Sequence, residues 1–457
     1  MRILTQTLTV IALAACGLAP TYAAPPNLVV FISDDHGYLD SEVAGAIGVR
    51  TPNMLRLAEA GMTFTHAFAA SPSCAPSRAA LLTGLMPMRN GSMLNHQPPR
   101  ADVKKLPAYL QDLGYEVVAF GKVAHYKQAK DYGFDHASHD TFHDHEGIPA
   151  ALRFLRERKS TKPLCLLVGT NWPHVPWPRE GEAPAEPGAI INLPPTHVDT
   201  PETRQWRNRY YAAVEKMDAD LGQIYDAAYK QLGDDTLFIH FSDHGAQWPF
   251  GKWNLYDAGV RVPFIAVWPG KIKPRSKSDA MISLVDVLPT LIEAAGGTPP
   301  TAIDGRSRLS VLKGDSAATG DYAFTTHSGD GRMNEYPSRS VRTARWKYIR
   351  NLRPDAKHHT HIDRGQSIDG NDYWQSWVEQ AESDSLARRI VDRYFHRPAE
   401  ELYDLLQDPH EQHNIAADAK SHIPLNLSRE MLDAWMKQQG DEGIAAEKAV
   451  AESFKPE

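Results

Sequence analysis

Cys74 and Arg78 lie four residues apart in the stretch Ser71-Pro72-Ser73-Cys74-Ala75-Pro76-Ser77-Arg78-Ala79-Ala80-Leu81-Leu82-Thr83-Gly84. The stretch reads as a tight Pro-containing loop that runs into a helix. Pro76 suits a first helical turn, where its missing N–H would have no partner. Ala79 to Leu82 are helix formers, and Gly84 can end the helix. The sulfur thus sits at a helix N-terminus with a guanidinium one turn away on the same face. Dipole and cation together favour negative charge there and activate a thiol, or whatever replaces it. A cysteine that merely packs is the ordinary alternative, so the case for chemistry rests on partners elsewhere.

Four apolar runs end in such partners. Asp34 and Asp35 follow residues 27–32, Lys122 and His125 follow 116–120, His174 follows 164–168, and Asp243 and His244 follow 236–241. Alone, an Asp-Asp pair is an ordinary turn or cap, and a single Lys or His is an ordinary surface residue. In an open α/β sheet, however, ligands bind beyond the carboxyl ends of the strands. Residues more than two hundred positions apart can then share one site. Asp34, Asp35 and Asp243 offer hard oxygen ligands that repel one another unless a cation such as Ca²⁺ or Mg²⁺ holds them.

The elements that must position these groups follow from pattern. Residues 27–32 form a continuous apolar run, as a strand buried on both faces of a parallel sheet does, and 116–120, 164–168, 236–241 and 263–267 read as further strands. Helices are expected near 52–60, 104–113, 205–232 and 285–295. Eight prolines between Pro173 and Pro201 indicate a structured excursion over a site. Alternating strands and helices make an α/β domain with a largely parallel sheet. The expected division is a leader (1–24), a catalytic domain (25–338) and a C-terminal subdomain (339–457). In the last, 339–349 reads as an edge strand of a smaller antiparallel unit and 355–372 as a polar loop, and residues 401–405 with a helix near 427–438 complete the subdomain.

The motif C-x-P-S-R at Cys74–Arg78 resembles that of the type I sulfatases. Residues 251–263, Gly-Lys-Trp-Asn-Leu-Tyr-Asp-Ala-Gly-Val-Arg-Val-Pro, complete the family pattern. The resemblance implies an alkaline-phosphatase/sulfatase-like sandwich, with a large mostly parallel sheet flanked by helices and a smaller C-terminal antiparallel sheet. It implies conversion of Cys74 to formylglycine by a maturation enzyme. It also implies one Ca²⁺ held by Asp34, Asp35, Asp243, an oxygen at position 74 and His244, which stands where many members have Asn. Lys252 matches the sulfate-binding lysine, Lys122 the lysine that touches formylglycine and sulfate, His125 its neighbouring base and His174 the histidine near the leaving group. The spacing Lys122-x-x-His125 resembles the iduronate-sulfatase variant. Residues 339–343, 346–352, 401–404, 408–411 and 414–416 resemble the end of the heparan N-sulfoglucosamine sulfohydrolases. The implied reaction is hydrolysis of a sulfate ester or N-sulfate of a saccharide, algal or glycosaminoglycan, by a formylglycine hydrate. A phosphate or phosphonate ester hydrolase of the same superfamily and a non-catalytic carbohydrate-binding protein are the competing readings.

The chain carries a formal charge of −7, so an anionic substrate needs a local basic pocket, and a nucleic-acid partner is not expected. Residues 1–24, with Arg2 as the sole charge and an apolar run from Leu8 to Leu18, read as an export signal. Leu13-Ala14-Ala15-Cys16 also resembles a lipobox, in which case Cys16 would carry a membrane-anchoring lipid. Of the remaining cysteines, Cys165 lies in an apolar run, and no disulfide with Cys74 is expected.

Overall fold

The computed structural model describes residues 25–138, 145–179, 191–315 and 322–454. The leader, with Cys16, lies outside the described residues, as does part of the proline-rich excursion. The first eight strands are β1 (Asn27–Ser33), β2 (Met62–Phe68), β3 (Glu116–Gly121), β4 (His136–Ser138), β5 (Leu164–Gly169), β6 (Thr236–Ser242), β7 (Phe264–Val267) and β8 (Ser276–Ser283). They form one sheet in the order β4-β3-β5-β1-β6-β7-β2-β8. All pairings are parallel except those of β7 with β6 and with β2. Two antiparallel steps restore direction, so β2 runs parallel to β6 and its carboxyl end faces the same edge as those of β1, β3 and β5.

The four central runs behave as their composition requires. β5 and β6 are buried at every residue, and β1 at all but Asn27. Odd and even residues feed separate cores: Val29 and Phe31 pack on one face, Leu28, Val30 and Ile32 on the other. The long helix Pro201–Leu232 covers the first face. Its Thr200 cap accepts from the Thr203 N–H, and Pro201 begins its first turn, as the asymmetry of helix starts favours.

Two glycines let the sheet edge close tightly. Gly121 and Gly169 are partners at the ends of β3 and β5. A Cβ on Gly169 would lie 2.0 Å from the Lys122 carbonyl oxygen, and one on Gly121 would lie 2.1 Å from the Gly169 carbonyl. Gly121 also has φ +68°, which other residues adopt only with strain. Together they fix the turn that carries Lys122 into the site.

A second sheet is four-stranded and antiparallel, in the order β12-β11-β10-β9. Its strands are β9 (Tyr322–His327), β10 (Ser338–Thr343), β11 (Trp346–Asn351) and β12 (Glu400–Asp404). The architecture is thus the large mixed sheet with helices, plus the smaller antiparallel sheet, that was expected. Details differ. Residues 339–349 are not one edge strand but the two central strands of this sheet, joined at Ala344-Arg345. The polar stretch 355–372 is partly ordered and buried: Thr360 and Asp363 form a capping box for the helix His361–Arg364, with His358, Thr360 and Ile362 inside. The terminal helix spans His422–Gln439 and is followed by another, Ile444–Ser453.

Candidate active site

Five strand ends deliver the chemical groups to one edge of the large sheet. β1 leads to Asp34 and Asp35, β3 to Lys122 and His125, β5 to His174, and β6 to Asp243, His244 and then Lys252. β2 leads into the helix Cys74–Thr83, whose first residue is Cys74. Every residue of that helix is buried, and Gly84 closes it in the left-handed conformation (φ 66°) with its N–H on the Ala80 carbonyl.

Cys74 Sγ is the meeting point. His244 Nε2 lies 3.3 Å away, Lys122 Nζ 3.7 Å and Asp34 Oδ1 3.9 Å. Asp35, Cys74, Asp243 and His244 place ligand-type atoms within 4.8 Å of one another, all buried. His244 Nε2 is also 3.5 Å from Asp35 Oδ1 and 3.5 Å from Asp243 Oδ2. Asp34 stands beside this group with its oxygens turned to cations: Oδ2 accepts from Lys122 Nζ at 2.5 Å and Oδ1 from Arg78 Nη2 at 3.0 Å.

Arg78 ties three strands together. Besides Asp34, it donates through Nε to Asp243 Oδ2 at 2.9 Å and through Nη1 to the Lys122 carbonyl. Its side chain is fully buried. Asp243 Oδ1 accepts from the backbone N–H groups of Asp35 and His244 at 3.1 and 2.9 Å, and Ser77 Oγ donates to the Asp243 carbonyl at 2.5 Å. Asp35 holds φ 66°, an unusual conformation for a non-glycine residue that clusters at functional sites. On the opposite side, Lys252 Nζ donates to Asp35 Oδ2 at 2.8 Å, and His174 Nε2 is 3.8 Å from the same oxygen.

Charges in this dry cluster set one another's protonation. Burial pushes Asp34 up, but Lys122, His174, Arg78 and Lys252 together hold it well below the usual carboxylate range. For Asp35, burial outweighs Lys252 and its pKa rises. Burial opposes charge on Lys252 and Lys122, but the nearby carboxylates keep both ammonium groups above their ordinary values. Burial, Lys252 and Lys122 drive His174 well below the usual imidazole range. Its Nδ1 faces the Val175 carbonyl at 2.6 Å. Burial lowers His244, yet Asp243, the Cys74 thiol and Asp35 raise it to about 9.

All ten residues named from the sequence therefore come to one edge, and others not named join them. His96 Nδ1 is 2.7 Å from His125 Nε2. Asn95 accepts from the Ala75 N–H at 3.2 Å and donates to Asp330 Oδ2 at 2.9 Å. Tyr126, at φ 49°, lays its ring 5.1 Å from Lys122 Nζ. Asn95, His96 and Asp330 sit on loops without periodicity, and Tyr126 opens the short 3-10 helix Tyr126–Tyr132; only the adjacency of Tyr126 to His125 could have drawn attention to one of them. Cys165, by contrast, is a fully buried core thiol whose pKa is pushed up by burial.

A mostly parallel α/β sheet whose strand ends gather three carboxylates, two lysines and an arginine around one helix-start residue is the framework of a hydrolase for anionic esters. A family model described as Sulfatase matches residues 26–297, and one described as N-sulphoglucosamine sulphohydrolase, C-terminal, matches residues 243–369. An ulvan-active sulfatase of Formosa agariphila is 34% identical, over 91% of this chain and 81% of that protein. Human N-sulphoglucosamine sulphohydrolase is 27% identical, over 94% of this chain and 93% of its own length. A structure solved in complex with its substrate D-glucosamine-2-N,6-O-disulfate shares the fold, with a TM-score of 0.71 at 20% identity, covering 92% of this chain and 99% of that one. The chain belongs to the sulfatase family, in the N-sulfoglucosamine sulfohydrolase-like subgroup. Its activity is that of a sulfuric ester hydrolase.

Proposed function

We propose that this enzyme is exported and removes sulfate, as O- or N-sulfate, from a sulfated saccharide. Residue 74 acts after conversion to formylglycine, and one Ca²⁺ is held by Asp34, Asp35, Asp243, His244 and an oxygen of residue 74. The observation that carries this reading is the convergence on Cys74 Sγ of His244 Nε2 at 3.3 Å, Lys122 Nζ at 3.7 Å and Asp34 Oδ1 at 3.9 Å.

The residues suit a hard divalent cation. Asp35 Oδ1 is buried and has no hydrogen-bond partner. His244 Nδ1 faces the Gly245 carbonyl at 3.0 Å, a contact that sets Nδ1 as donor, as outer partners of ligating histidines do, so that a bound cation would take the place of the Nε2 proton that Asp243 and Asp35 favour. When bound, the cation would polarise a sulfate oxygen, and the hydrated aldehyde would supply both the attacking hydroxyl and a second one whose deprotonation frees sulfate.

The chain's own groups do the rest. Lys122 and Lys252 each spend one N–H on an aspartate and retain others for sulfate oxygens. They bind the anion and stabilise charge as it shifts toward the leaving oxygen. Arg78 holds Asp34, Asp243 and the Lys122 turn in register. Lys252, kept cationic by Asp35, holds positive charge against the bound anion and the leaving oxygen. His174 is neutral as it stands and takes the acid role once a bound anion raises its basicity. His125, sealed from solvent at 3% exposure, is the base near residue 74.

A saccharide as substrate is supported by the relatives named for ulvan and N-sulphoglucosamine. Export rests on the leader read in residues 1–24, with a lipid on Cys16 as its anchored form. Among the described residues no helix is long and apolar enough to cross a membrane. The test is sulfate release from defined ulvan oligosaccharides and N- and O-sulfated glucosamines, by protein co-produced with a maturation enzyme. Chelation should abolish release and Ca²⁺ restore it. Faster turnover of matched phosphate or phosphonate esters would overturn the reading, and so would inertness of protein with verified formylglycine.

A further inference from the structure

We propose that Asp330 and His96 are positioning residues that fix the tautomer of His125, so that its Nδ1 is left bare for the base role proposed above and the charge it gains is shared outward. The inference rests on the sulfatase reading above and adds two residues to it.

The hydrogen bonds run in one direction. Asp330 Oδ2 accepts from Asn95 Nδ2 at 2.9 Å and from Trp253 Nε1 at 2.8 Å, and both donors require an acceptor there. Burial pushes Asp330 up, but its bond to His96 and the nearby His361 and Asn95 hold it below the usual range, as a carboxylate. Its Oδ1 lies 3.4 Å from His96 Nε2, a carboxylate contact that favours the hydrogen on Nε2 and leaves His96 Nδ1 as acceptor. His125 Nε2, 2.7 Å away, must then donate. The lone pair of His125 is thereby placed on Nδ1, which is buried with no hydrogen-bond partner. A carboxylate anchored at one end dictates a free base at the other.

The surroundings keep that base neutral. Burial, then His96, Lys122 and Arg78, lower His125 well below the usual imidazole range, with Asp330 opposing them. When an O–H bond at residue 74 breaks, its electron pair stays on oxygen and a new N–H bond forms at Nδ1. The positive charge arising on His125 spreads across the 2.7 Å bond to His96 and is balanced by Asp330. His96 has a side chain 43% exposed, so this charge is delivered to the solvent border. His96 holds φ 68° and Tyr126, after His125, φ 49°, conformations that persist only when the surroundings impose them.

The test combines kinetics with a readout that needs no turnover. In His96→Ala, kcat should fall about a hundredfold while KM moves by less than about threefold. Added imidazole should recover much of kcat, because the vacated position opens to solvent. Asp330→Asn should lower kcat in the same sense, with thermal unfolding confirming that both variants fold. In the native protein, ¹⁵N NMR should show His125 protonated at Nε2 and bare at Nδ1. The proposal is overturned if His125 carries its hydrogen on Nδ1, if His96→Ala changes KM alone (a saccharide contact), or if neither parameter moves. A native protein with the expected tautomer that releases no sulfate would support this hydrogen-bond order and sink the sulfatase reading instead.

Discussion

Two buried charge clusters lie on either side of the segment that carries Lys252, and they are built to different ends. Around Cys74, three carboxylates and three cations crowd one residue, and Asp35 Oδ1 is left without a hydrogen-bond partner. At the seam between the two sheets, Asp257 alone is held by Arg342 at 3.3 Å from β10 and Lys347 at 3.4 Å from β11. Burial raises Asp257, but Arg342, Lys347 and Arg261 bring it below the usual range. Its N–H is taken by Glu411 at 2.6 Å. In the proposed reading, the first cluster keeps carboxylate and ammonium valence in reserve for a cation and an anion. The second pairs Asp257 with cations of the small sheet and so fastens that sheet to the large one, although Arg342 Nε and Glu411 Oε1 there are also buried without hydrogen-bond partners. Burial of charge is expensive in both; what differs is that the first packs three carboxylates together around one residue, whereas the second sets one ionised carboxylate against cations of the other sheet.

Substitutions should separate these roles. Cys74→Ser should cut sulfate release by at least about 10⁴-fold, because it removes the group at which all the others aim. Its thermal unfolding should stay near that of the native protein. Next in size, Arg342→Met should lower stability by about 3 kcal/mol, since a broken buried pair strands its partner. Calorimetry or urea unfolding would show this, and activity per folded molecule should hold. An activity loss without a stability loss would erase the distinction between the clusters. Lys252→Met should lower kcat by about a hundredfold, the scale of one lost electrostatic contact in the transition state.

A pH profile sharpens the same comparison. Burial and then Asp257 raise Glu411 from its ordinary 4.5 to about 8. The folded state therefore holds a proton that the unfolded chain releases. This contribution is complete below pH 4.5 and is lost as pH rises through 8. Within that window the stability of the native protein should fall, relative to Glu411→Gln, by on the order of 1 kcal/mol per pH unit. Parallel pH profiles for the two proteins would contradict a neutral Glu411 at the seam.

The parts legible in the sequence were those with strong local signals. Residues 28–32, 164–168 and 237–239 are apolar because both faces of their strands are buried, and the polar groups after the strands mark the ligand edge. β2, which aims Cys74, was not read: Met62-Thr63-Phe64-Thr65-His66 mixes polar side chains into the run, and the strand bulges between Phe64 and His66. The β10–β11 hairpin read as one strand because Ala344-Arg345 lacks the Gly or Asn that announces a tight turn. His96 and Asp330 were invisible for a different reason. Their meaning lies in a hydrogen-bond order across more than two hundred residues, and no spacing in the chain encodes it.

The central claim is that residue 74, once converted, is the reacting group around which the strand ends are arranged. The most direct measurement takes preparations with graded conversion, quantifies formylglycine in the peptide containing residue 74 by mass spectrometry, and records sulfate release from the preferred saccharide for each. Release should rise in proportion to the converted fraction and extrapolate to zero at none. A rate independent of that fraction would contradict the account.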